Sequence, residues 1–92
     1  NYKIMANVRN LKKDINFVLG DIIEAVYIWE MSTAGKPTEQ SQLIIDEAIN
    51  KFDVLIERVN DKKVENKKSH FKAIYSDLEE TANQLVEKIN AL

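Results

Sequence analysis

His70 is the only histidine of the chain, and there is no cysteine. That removes thiolate zinc sites, cysteine nucleophiles and a disulfide framework. A lone imidazole needs partners to work as a ligand or general base. The Glu-x-x-His spacing of helical-bundle metal sites is absent, and the neighbouring Lys67, Lys68 and Lys72 disfavour a cation. His70 therefore reads as a partly exposed residue near the start of a helix. Ser32, Thr33, Ser41, Ser69, Ser76 and Thr81 offer hydroxyls, but no neighbouring base and no strand–turn–helix elbow. Gly20 and Gly35 are too isolated to cradle a phosphate, and Lys36 stands without the rest of a P-loop. No catalytic and no cofactor-binding residue is assigned.

Carboxylates are the remaining chemistry. Asp21 and Glu24, Asp46 and Glu47, and Asp77, Glu79 and Glu80 fall at similar heights if three antiparallel helices carry them. Oxygen ligands of this kind hold Mg²⁺ together with bound water. In that respect alone the set resembles the sites of all-α nucleotide pyrophosphatases. Their paired Glu-x-x-Glu and Glu-x-x-Asp repeats are missing here. Asp46, Asp77 and Glu80 also project from the polar faces of their segments, so convergence needs a second subunit. The expectation is solvated acidic faces, no metal and no cofactor. A nucleotide-hydrolysing enzyme is the least supported of three functional readings.

The elements that would position any site are helical. Ile4, Val8, Leu11, Ile15, Val18, Ile22, Ala25 and Trp29 recur in steps of three and four, the spacing of one helical face. Asp21-x-x-Glu24 has the form of a capping box, but the apolar phase passes Gly20 without a slip. One continuous helix over roughly 3–32 is expected, with Trp29 in the core. Gly35 suits a left-handed turn position, Pro37 disfavours a helical Lys36, and Thr38 suits a helix cap. Ile45, Ala48, Ile49, Phe52, Leu55, Ile56 and Val59 mark a second amphipathic helix over 38–60. Val64, Phe71, Leu78, Leu85 and Leu92 follow at sevens, flanked by Ile74, Tyr75, Ala82, Val86 and Ile89. They mark a third helix over 64–91.

One proline and two glycines in 92 residues argue against an all-β fold, which needs frequent turn residues. Apolar residues at 45% and charged residues at 30% describe a globular chain rather than a disordered one. The expectation is a single all-α domain over 1–92, an up-down-up antiparallel three-helix bundle. The apolar run from Phe17 to Met31, fifteen residues interrupted by Asp21, Glu24 and Glu30, is shorter than the roughly 20 residues of a membrane span. Lack of cysteine fits a reducing, cytoplasmic setting and is also compatible with a bacterial periplasm. The chain starts at Asn1 rather than Met, which fits a trimmed amino end.

Two surfaces carry the functional expectation. Eleven of the fifteen residues from Phe17 to Met31 are apolar, more than the single stripe of a surface helix. Such a helix calls for cover from more than one side. Phe17, Tyr27, Ile28 and Met31 are assigned to an interface with a second copy or a partner helix, so that the bundle dimerises into a larger one. Charge is the second feature. Residues 1–13 hold Lys3, Arg9, Lys12 and Lys13 and no acid, while residues 58–72 hold six cations against Asp61 and Glu65. An up-down-up topology brings the two sets to one end, at +8, and leaves −10 elsewhere; together these give the chain's −2. Arg9, Lys12, Lys13, Lys62, Lys63, Lys67 and Lys68 are assigned to anion binding, with an acidic protein or nucleic acid as ligand. The absence of a nucleic-acid motif and the overall acidity weigh against the latter. The leading expectation is a non-enzymatic helical interaction or self-association module, with the anion-binding module as its alternative.

Overall fold

A computed structural model describes residues 8–92. Lys3 and Ile4 of the expected first helix lie outside the described residues. The chain forms an all-α three-helix bundle: α1 spans Val8–Trp29, α2 Glu39–Val59 and α3 Lys67–Asn90. Among the described residues there is no strand, and no helix that is long and apolar enough to cross a membrane. Short turns join antiparallel neighbours, and all three helices contact one another.

α1 is continuous through Gly20, as its periodicity predicts. It runs on past the expected end at residue 32, because its last turn widens into a π-helical turn over Glu30–Ala34. A π turn spends five residues where an α turn spends four. Ser32 Oγ donates to the Ile28 carbonyl at 2.7 Å, a side-chain bond that competes with the regular backbone ladder. Gly35 ends the segment at φ 78°, the left-handed position that glycine takes without steric cost.

Thr38 caps α2: its Oγ1 accepts from the Ser41 amide at 3.0 Å, and Ser41 Oγ accepts from the Thr38 amide at 2.9 Å. α3 begins at Lys67, three residues later than its heptads suggest. Asn66, in an extended conformation, accepts from the Ser69 amide at 3.0 Å through its side chain. That cap fixes the start, and Val64 stays in the preceding turn, half-buried.

The core is formed by Leu11, Ile15, Leu19, Ile22 and Val26 of α1, Ile44, Ile45, Ala48, Leu55 and Val59 of α2, and Ile74, Leu78 and Leu85 of α3. It departs from the sequence expectation on α1. Leu19, Val26 and Glu30 face inward, while Val18 and Trp29 are half-buried and Ala25 is exposed. The inward steps run four, four, three, four and four, so the stripe advances faster than a strict heptad. Trp29 falls at its edge and Glu30 takes the inner seat. Ile49 and Val86, expected to pack, are exposed.

Four side-chain links set the register. Tyr75 Oη donates to Asp14 Oδ2 at 2.7 Å, joining α3 to α1. Arg58 pairs with Asp77 and Glu47 with Lys88, joining α2 to α3. A ring N–H of His70 donates to the Arg58 carbonyl at 2.6 Å. It thereby adds a second donor to a carbonyl at the end of α2 that the Asp61 amide already reaches at 3.3 Å.

Candidate functional site

Three features stand apart from ordinary packing. The first is the outward face of α1. Phe17 is 69% exposed, Tyr27 48%, Ile28 58% and Met31 81%. All four assigned interface residues thus lie away from the core on one side of the helix. Phe17 and Ile28 are eleven residues apart, about 16 Å along the axis. Exposed Gly20, Asp21 and Glu24 lie between them. α2 and α3 cover α1 only along its inward stripe. Gly20 adds a further observation: a Cβ built there meets nothing within 4 Å, and its φ is not positive. Neither packing nor backbone conformation in this fold requires a glycine at that position.

The second feature is the basic end. Arg9, Lys12, Lys13 and Asn16 of α1 meet Phe52 and Ile56 of α2 along an open groove. Lys12 is half-buried; Arg9 and Lys13 are exposed. None of these three cations makes an ion pair with a described residue. Lys62 and Lys63 lie in the turn after α2, and Lys67 and Lys68 in the first turn of α3. These four are exposed at the same end of the bundle but do not line the groove. Lys67 and Lys68 also oppose their own helix, whose amino end carries partial positive charge and no acid in its first turn. Lys3 lies outside the described residues.

The third feature was not foreseen. Glu30 is 4% exposed, and its Oε2 accepts from Ser41 Oγ and, at 2.9 Å, from Gln42 Nε2. Ser41 is itself fully buried, and its hydroxyl also lies 3.0 Å from the Thr38 carbonyl. A hydroxyl has one proton, and the carboxylate is the stronger acceptor. The anion sits beside the first turn of α2, where the helix dipole favours negative charge. Sequence spacing carried one usable signal: Glu30 continues the Ile22–Val26 step of four.

The remaining titratable groups do not assemble a reactive centre. Among the described residues no three His, Asp or Glu side chains gather at metal-binding distance. Asp77 and Glu47 are engaged with Arg58 and Lys88. The Tyr75 phenol is pushed up from 10.0 to about 12, chiefly by burial, then by the hydrogen bond to Asp14 and its negative charge. It is a structural link between helices. The chain matches no protein-family model, no curated protein and no solved structure.

Proposed function

We propose that the protein is a non-enzymatic helical interaction module that pairs with a second copy of itself through the outward face of α1. One observation carries this reading: Phe17, Tyr27, Ile28 and Met31 are exposed together on a helix whose inward side is already packed. Lys13, Phe17, Gly20, Glu24, Tyr27 and Met31 follow one another at four, three, four, three and four residues, the spacing of a helix-packing seam. Gly20, which the fold does not need, lets a facing backbone approach closely at the middle of that seam. Antiparallel pairing of two α1 helices brings the basic end of one copy beside the acidic end of the other. Parallel pairing would set like charges together.

The test is the solution mass by light scattering across a concentration series. Wild type is expected to reach the dimer mass. Phe17→Glu and Ile28→Glu, at exposed positions, are expected to stay monomeric with unchanged helical circular dichroism. A wild type that stays monomeric throughout, or an intact dimer in both variants, overturns the assignment.

A further inference from the structure

The groove at the basic end has a cross-section that selects its occupant. One wall is cationic, with Arg9, Lys12 and Lys13 of α1. The floor is apolar, with half-buried Phe52 and Ile56 of α2. Ile49, seven residues before Ile56 and thus on the same side of α2, is 47% exposed and lengthens that floor. The far rim is acidic: Asp53 and Glu57, one position past each floor residue, are exposed and make no ion pair with a described residue.

A uniformly charged anion suits the first wall and is repelled by the opposite rim. That disfavours a nucleic-acid backbone, whose affinity depends on cations without neighbouring acids. A groove between two antiparallel helices is also the position of a fourth helix in a bundle. Its occupant needs an apolar stripe for the floor, acids on one flank and bases on the other. Flanking charges of this kind fix partner choice in paired helices.

We propose that this groove docks an amphipathic helix of a partner protein, with its acidic flank against Arg9, Lys12 and Lys13 and its apolar stripe on Phe52 and Ile56. The groove shares only Lys13 with the α1 seam proposed for self-association; Phe17→Glu disrupts that seam and leaves the groove lining intact, so either assignment can fail alone.

The experiment is fluorescence anisotropy with a labelled synthetic helical peptide of about 18 residues, roughly five turns, leucine-striped, with glutamates on one flank and lysines on the other. The full chain is titrated as wild type, as Phe17→Glu, and as Lys12→Glu/Lys13→Glu. Wild type and Phe17→Glu are expected to bind the peptide equally. The double reversal removes two attractions and adds two repulsions, and is expected to weaken binding on the order of tenfold. A leucine-to-serine version of the peptide and an oligothymidylate of similar length are expected to bind at least tenfold more weakly than the parent, on the order of one lost apolar stripe. Because Lys12 and Lys13 lie outside the core, circular dichroism of the reversal variant should match wild type; Arg9→Glu repeats the test if it does not. No binding of the parent peptide overturns the proposal. So does equal binding by the reversal variant, or equal or tighter binding of the serine peptide or the oligonucleotide.

Discussion

Replacing Glu30 with alanine removes a buried carboxylate together with two hydrogen bonds that it accepts, from Ser41 Oγ and Gln42 Nε2. Bonds to a charged acceptor contribute about 1.5–3 kcal/mol each, so the gross loss is about 3–6 kcal/mol. Two offsets reduce it. Ser41 Oγ retains the Thr38 carbonyl at 3.0 Å, and Gln42 is exposed and can turn to water, so neither donor is left stranded. Burying the carboxylate also carried a desolvation cost that the variant no longer bears. The net expectation is a destabilisation of about 2–3 kcal/mol. For 92 residues the whole stability is of order 5–14 kcal/mol, so the change is a sizeable fraction. At about 4–8 °C per kcal/mol it lowers Tm by about 8–24 °C.

Urea denaturation followed by circular dichroism measures this directly, with equal m-values confirming a comparable transition. Glu30→Gln keeps the shape and one acceptor and should lose about half as much. A cycle with Ser41→Ala should give a coupling of about 1 kcal/mol or more, as expected for directly bonded groups. A Glu30→Ala change smaller than about 0.5 kcal/mol, within the range of an ordinary surface substitution, would refute the view that this carboxylate pins the end of α1 to the start of α2.

Gly20→Ala should raise stability by about 1 kcal/mol, the helix-propensity difference between the two residues, because a Cβ at that site meets no neighbour within 4 Å; thermal melts of a dilute sample read it. Lys68→Glu should add about 0.3–1 kcal/mol by complementing the dipole of α3, and the gain should shrink in high salt. The Tyr75 phenol titrates at about 12 in the folded chain against an ordinary 10.0. Its contribution is therefore fully present below pH 10 and is lost as the pH rises towards 12. Urea midpoints taken across that window should fall more steeply in wild type than in Tyr75→Phe. Leu85→Ala, at a fully buried site, should cost about 2–5 kcal/mol by leaving a cavity.

The three helices and two turns were legible because their signals agree. Three- and four-residue spacing marks each helix, Gly35 and Pro37 break the first connection, and Thr38 carries a hydroxyl suited to its cap. The details that escaped are those where one residue type outweighs a regular pattern. Glu30 reads from sequence as a charge interrupting an apolar run. Its partners Ser41 and Gln42 lie more than ten residues away and meet it only once the turn is formed. Trp29 shares the apolar phase of the core in the sequence, and a small advance of the stripe moves it to the edge. Asn66 overrode the heptad that placed Val64 inside α3, since a side-chain cap fixes a helix start more locally than hydrophobic spacing does. Exposure of Phe17, Tyr27, Ile28 and Met31 was foreseen from their position off the main stripe. The groove lined by Arg9 and Lys12 was legible only as a charge cluster, because its apolar floor comes from the middle of α2.

Opposite charge at the two ends of the bundle acts before any surface touches. A body with separated poles turns in the field of whatever it approaches, over distances comparable to the screening length, about 8 Å at physiological salt. Lys62, Lys63, Lys67 and Lys68, exposed at the basic end yet outside the groove, bear on this stage more than on the bound state. Their removal should slow encounter and flatten its salt dependence while leaving the lifetime of a formed complex nearly unchanged. The lysine-rich turn would then govern how often the molecule arrives correctly oriented, and the contact residues how long it stays.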